Sequence, residues 1–199
     1  MSHYCVTSKL IAYICHMKET KNQILQSAIT IWGNNLAATL DDIAQHAKIS
    51  RRTLHRHYSG KDDLLDSVFN YIIDEYLVSL KQNIKRDISD KEKLKSFLQF
   101  DINSSKKYMV FCELRKVEFQ HIEVANENFN EMYSIYLNLF KKLQDNQEIS
   151  EHLSLQWIET FYLSVVESSD KIIDSGIDSA KCFNMAWFSL WNGIKSVDD

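Results

Sequence analysis

The chain has 199 residues, 45% of them hydrophobic and 12% aromatic, so it can bury a sizeable core. It has no proline and only four glycines, which favours long helices joined by short polar turns. Net charge is −4, yet residues 1–62 carry eight Lys/Arg against four Asp/Glu while residues 63–199 carry fifteen against twenty-three, which puts the contact with any polyanion at the N-terminal end.

Residues 1–19 read as an N-terminal extension, with Met17 an alternative start. Thr20 followed by Gln23 has the form of a capping box and opens the first clear helix. Ile24, Leu25, Ala28, Ile31 and Trp32 recur in it at helical spacing. Gly33, Asn34 and Asn35 tolerate left-handed backbone and are expected to end it. Thr39 with Asp42 opens a short second helix with Leu40, Ile43, Ala44 and Ala47 facing inward. Ala47-Lys48-Ile49 makes a tight turn. Ser50 then caps "RRTLHRHY", and Ser59, with Asp62, caps a long fourth helix carrying Leu65, Val68, Ile72, Tyr76 and Leu80 on one stripe.

Beyond it, Ser89 with Glu92 opens a helix over about 90–104, and another is expected over 105–120. Phe129, Met132, Tyr136, Leu139 and Leu143 mark a helix within 122–147. Ser150 is expected to start a long helix to Asp174 that Gly176 stops. Ala180, Phe183, Trp187, Leu190, Trp191 and Ile194 repeat through a last helix over 178–196. No strand-like alternation competes, so the class is all-α with about nine helices.

Two short helices joined by a tight turn form a helix-turn-helix, whose second helix enters the major groove of DNA. Three arginines, two histidines and a lysine lie between Arg51 and Lys61. Ile49 and Leu54 hold the second helix to its scaffold, leaving Arg51, Arg52, His55 and Arg56 mostly outward. Arginine can bond a guanine edge or a phosphate at two points. The hydroxyls of Thr39, Ser50 and Thr53 and the ring ends of His55, His57 and Tyr58 can donate to phosphates. Tyr58 is equally suited to plug the core. The same arginines on a solvated helix face, with no DNA role, remain the alternative.

The segments "ILQSAITIW", "TLDDIAQHAKIS" and "RRTLHRHYSGKDDLL" resemble the DNA-binding domain of the TetR family of transcriptional regulators, over residues 20–66. The pattern of residue types runs through twenty-seven positions from Thr39 to Leu65. The sequence leaves the family pattern at Lys48, where glycine is common, and at Arg52 and His55. By this resemblance Thr39, Thr53, His55, His57, Tyr58 and Lys61 match positions that contact the DNA backbone, and Arg51, Arg52 and Arg56 match positions that reach bases or phosphates. The implied organisation is an extension over 1–19, a three-helix DNA-binding domain over 20–64 and a larger helical effector-binding and dimerisation domain over 65–199.

The resemblance also implies a homodimer on a palindromic double-stranded operator, acting as a repressor released by a small-molecule effector. Candidate dimer residues are Phe161, Phe183, Trp187, Leu190, Trp191 and Ile194 on the last two helices. Candidate pocket residues are Phe97, Phe100, Tyr108, Phe111, Cys112 and Trp157, though each of them also suits a plain core role. His121 with Glu118 or Glu123 fits a surface pair better than a metal anchor. The cysteines Cys5, Cys15, Cys112 and Cys182 form no CxxC pair and read as reduced thiols of a cytoplasmic protein, with no metal or cofactor expected. No apolar run reaches the ~20 residues that a membrane span needs. No HExxH, GxSxG or phosphate-binding glycine loop is present, which argues against an enzyme on a helical scaffold. A helix-turn-helix protein without an effector is the remaining alternative.

Overall fold

The computed structural model describes residues 3–105, 107, 110, 113 and 127–196, with side chains from Met17 onward. Among these residues are eight helices: α1 (His3–Trp32), α2 (Leu40–His46), α3 (Arg51–His57), α4 (Lys61–Ile84), α5 (Asp90–Asn103), α6 (Glu127–Asp145), α7 (Leu155–Asp174) and α8 (Ser179–Ile194). The described residues are all-α, as the absence of proline and scarcity of glycine favour. Of the helix expected over 105–120, residues 105, 107, 110 and 113 are helical and the rest lie outside the described residues.

The chain divides into two compact units, Met1–Tyr71 and Ile72–Asp199, and the division falls inside α4. In the first unit, α1 buries Ile24, Leu25, Ala28, Ile29 and Trp32. Thr20 does not cap it. The helix runs unbroken from His3, and Thr20 is a buried residue in its middle. The expected stop also differs in kind. Among the described residues only Lys48, Gln147 and Gly176 have positive φ, so α1 ends at Gly33 and Asn34 without a left-handed residue. Asn34 N–H instead bonds back to the Ile31 carbonyl, and Trp32 Nε1 donates to the Ala38 carbonyl at 3.2 Å, fixing the connection to α2.

The second helix starts as expected. Asp42 N–H donates to Thr39 Oγ1 at 3.2 Å and Thr39 N–H donates to Asp42 Oδ2 at 2.8 Å. These bonds hold the Asp42 carboxyl below its ordinary range, those from Thr39 being the cause. The turn that follows is a Schellman motif. Lys48 N–H reaches the Gln45 carbonyl, Ile49 N–H reaches Ala44, and Lys48 takes φ 53°. The same closure recurs after α6, with Gln147 at φ 60°, and after α7, with Gly176 at φ 95°. Only the last of the three uses glycine, although an L side chain is strained there.

Ser50 caps α3 by accepting from Thr53 N–H at 3.0 Å. At the start of α4 the cap is displaced by one residue from expectation. Ser59 donates through N–H (2.8 Å) and Oγ (3.0 Å) to Asp63 rather than Asp62, because Gly60 intervenes before the helix begins at Lys61.

In the second unit, the Ser89–Glu92 capping box forms as expected at the start of α5. The long helix ending at Asp174 starts at Ser154, not Ser150. The Ser150 N–H is taken by the Ile194 carbonyl at 2.9 Å, beside an isolated bridge between Ile149 and Lys195, and Ser154 caps α7 instead. Among the described helices the most extensive pairing is α7 on α8. It is close because Gly193 lacks a side chain: a Cβ there would lie 2.6 Å from a Phe161 ring carbon.

Candidate functional site

The α2–α3 pair presents the chain's basic face. Leu54 is fully buried and pins α3, which turns Arg51, Arg52, His55 and Arg56 to solvent. Arg51 is committed to α2 by an exposed ion pair with Asp41 at 2.9 Å, and its Nε points to His55 Nε2 at 3.4 Å. An exposed pair of this kind contributes about 0–1 kcal/mol, so Arg51 can exchange Asp41 for a phosphate at little cost. Arg52 and Arg56 stand four residues apart on one side of α3, and no ion pair to either is found among the described residues. Thr39, Ser50 and Thr53 line up near the helix starts, Ser50 and Thr53 sharing a hydroxyl contact at 2.9 Å.

Two of the expected contact residues have structural tasks, and a third is partly enclosed. Tyr58 is 2% exposed and belongs to the core, and burial pushes its hydroxyl up to about 12. It is a plug and cannot reach a phosphate in this arrangement. Lys61 donates to the Leu36 carbonyl at 2.7 Å and lies over the Trp32 ring, 5.7 Å from its centroid, so it ties α4 to the α1–α2 connection. His57 is half-buried with Nε2 enclosed. Burial, then Arg56 and Lys21, lower its pKa, which favours the neutral ring.

The second unit holds a separate feature, a cavity of about 60 Å³. Six rings line it: Tyr76 from α4, Phe129, Tyr133, Tyr136 and Phe140 from α6, and Tyr162 from α7. Ile72 and Ile73 of α4 complete one wall. Asp101, on α5 and 1% exposed, faces into it. Its carboxyl accepts from Tyr162 Oη at 2.5 Å and from Tyr136 Oη at 3.0 and 3.2 Å. Burial pushes Asp101 up to about 7 despite these two donors. Glu159 also lines the cavity and accepts from Tyr133 Oη at 2.9 Å.

None of the candidate pocket residues that can be placed lines this cavity. Phe97 is core and packs against the Tyr136 ring, 5.2 Å between centroids. Phe100 sets its ring edge against Tyr76 and borders open surface clefts. Trp157 is 59% exposed and lies on the surface. Tyr108, Phe111, Cys112, Glu118, His121 and Glu123 lie outside the described residues, as do the side chains of Cys5 and Cys15. Asp101 is not marked in the sequence, because a single aspartate in "FLQFDIN" carries no local signal. A polar residue on the buried face of an amphipathic helix was the one available hint.

Of the candidate dimer residues, Leu190 and Ile194 are wholly buried within the chain's own core and are withdrawn from any surface. Phe161, Phe183, Trp187 and Trp191 are half-buried. Lys91 covers the Trp191 ring at 4.1 Å, and Lys95 lies near Phe183 and Trp187. The apolar groups left in solvent on α7 and α8 are instead Trp157, Ile172, Met185 and Phe188, the last 69% exposed.

Residues 34–68 match the family model described as bacterial regulatory proteins, tetR family. The helix-turn-helix domain belongs to the TetR family. A relative from Bacillus subtilis (strain 168), the uncharacterized HTH-type transcriptional regulator YvaF, is 29% identical over 101 residues, and the match spans 51% of this chain and 47% of the relative's length. The TetR-like architecture extends beyond the matched domain. A TetR family transcription regulator from Marinobacter aquaeolei VT8 superposes with a TM-score of 0.71 at 15% identity, over 90% of this chain and 97% of that one. The TetR-like regulator LfrR from Mycobacterium smegmatis, solved in complex with proflavine, gives 0.69 at 18% identity, over 90% and 98%. At these identities the likeness concerns the fold.

Proposed function

We propose that this TetR-family chain is a homodimeric transcriptional repressor of the cytoplasm, which binds a palindromic operator and leaves it when a small molecule occupies the second unit. The observation that carries the reading is the outward row of Arg51, Arg52 and Arg56 on a capped recognition helix in an otherwise acidic protein. Arg52 and Arg56 supply base or phosphate contacts, Arg51 and the hydroxyls of Thr39, Ser50 and Thr53 position the helix, and His55 borders them. The exposed Phe188, Met185, Ile172 and Trp157 favour pairing through α7 and α8, since so much apolar side chain in water is unfavourable. Among the described residues no helix is long and apolar enough to cross a membrane.

Release would run through α4. This one helix carries Lys61 and the buried Leu64 and Val68 at one end, and Ile72, Ile73 and Tyr76 of the cavity wall further along. A ligand that prefers one placement of that wall biases the spacing of the two recognition helices, which must match one DNA turn of about 34–36 Å or a multiple. LfrR, of similar fold, was solved with proflavine, which supports a small-molecule role for this architecture.

A gel shift on the DNA upstream of the protein's own and neighbouring genes tests the reading. Binding is expected at moderate salt. The slope of log K against log salt should become shallower by about 0.9 for each phosphate that Arg52→Ala or Arg56→Ala leaves without its arginine. No shift on any of these fragments would overturn it.

A further inference from the structure

We propose that the cavity ringed by Tyr76, Phe129, Tyr133, Tyr136, Phe140 and Tyr162 is a binding site for a compact organic cation of the alkylammonium class, with Asp101 and Glu159 as its counter-charges. The inference rests on reading the second unit as an effector domain, and it adds the chemistry of the effector.

Three observations converge on a cation. First, Asp101 is a fully buried carboxyl that faces the cavity. Its tyrosine donors satisfy hydrogen bonds but bring no opposite charge, and a buried carboxylate without one is costly. Second, among the described residues the lining includes a second carboxylate, Glu159, and no lysine, arginine or histidine. Above pH ~7, where Asp101 is ionised, an anion entering there meets two like charges, and a neutral apolar molecule leaves Asp101 as poorly solvated as before. Third, aromatic faces carry negative potential and attract cations, most of all cations stripped of water. Among the described lining residues, six rings and two carboxylates therefore favour a positive charge over a negative one. The remaining lining, including Ile72, Ile73 and Met132, suits the methyl groups of an alkylammonium ion and not a hydrated metal. No group of three His, Cys, Asp or Glu that could hold a metal occurs among the described residues.

Size restricts the class further. A water needs roughly 10–15 Å³ of such space, so the cavity of about 60 Å³ admits roughly four to six non-hydrogen atoms. Tetramethylammonium has that size. A longer ligand would seat its ammonium head here only if the walls part, and that movement would include α4.

Calorimetric titration of the full chain tests the proposal with three probes at fixed ionic strength: tetramethylammonium chloride, tert-butanol as its neutral counterpart, and sodium pivalate as an anion. Tetramethylammonium should bind at least about tenfold more tightly than either of the others. Asp101→Asn should weaken it at least about tenfold while leaving tert-butanol unchanged. Should Asp101→Asn fail to fold, Glu159→Gln, at a half-buried position, should also weaken the cation selectively. Equal affinity for the three probes, preference for the alcohol or the anion, or no tetramethylammonium binding would each overturn the proposal. The gel shift is independent of these titrations. DNA binding without cation binding would refute the ligand class alone, and cation binding without DNA binding would refute the regulator reading alone.

Discussion

Asp101→Asn should stabilise the unliganded protein at alkaline pH. The ordinary aspartate value is 3.8, and in the folded protein burial moves Asp101 to about 7. A carboxyl with a raised folded value takes up its proton more readily when folded than when unfolded. Below pH ~4 both states are protonated and the residue is neutral to stability. As pH rises from about 4 to about 7 the unfolded state ionises first and stability is progressively lost. Above pH ~7 the full penalty applies, about 4 kcal/mol at 1.36 kcal/mol per pH unit, which is an upper figure. Tyr136 and Tyr162 donate to the carboxyl and oppose this rise, while Glu159, Tyr76 and Tyr133 share the cavity without supplying a positive charge. Asparagine has nearly the same shape, still accepts from a tyrosine and has no charge to desolvate. Urea denaturation at pH 5 and pH 8 measures the difference. The variant's advantage should be present already at pH 5 and should grow by about 1–3 kcal/mol between pH 5 and pH 8. A variant equally destabilised at both values would refute the reasoning, because it would mean that the carboxylate is as well solvated in the fold as in water. Loss of stability in exchange for a ligand contact is a known pattern at functional sites.

Lys48→Gly should raise stability by about 1 kcal/mol, and the melting temperature by about 2–4 °C, because φ 53° costs a lysine more than a glycine even after glycine's greater unfolded entropy. A lower melting temperature would show the turn unstrained. Gly193→Ala should destabilise by about 1–2 kcal/mol through the Phe161 ring, yet become neutral or favourable in a Phe161→Ala background, since alanine is otherwise the better helix residue. Additive effects in a double-mutant cycle would contradict the close approach. Phe188→Glu should leave the fold intact by circular dichroism and yield monomers in sedimentation, and an unchanged dimer would move the proposed interface off this part of α8.

The features legible in the sequence were those set by near neighbours. Thr39 with Asp42 and Ser89 with Glu92 close capping boxes within four residues, and both form in the fold. The row Arg51, Arg52 and Arg56 follows from helical spacing once Leu54 is assigned to the core. Equally local signals failed where a more distant or better local interaction competed. Thr20 has the sequence of a cap, but a helix arriving from His3 leaves nothing to cap. Ser150 was overruled by the Ile194 carbonyl, which lies 44 positions away in the chain.

What the sequence by itself determined is the helical class, the helix-turn-helix and the basic face on it. Composition, capping pairs and a 3.6-residue period are properties of short segments and survive any packing. Tertiary structure alone decided that Tyr58 is a plug, that Leu190 and Ile194 turn inward while Phe188 turns out, and that α4, α5, α6 and α7 bring six rings round Asp101. A helix with a wide apolar arc does not state which part of that arc meets its neighbours. A lone aspartate does not state whether it will be solvated. Both depend on what other helices place beside them, and burial turns that placement into charge preference.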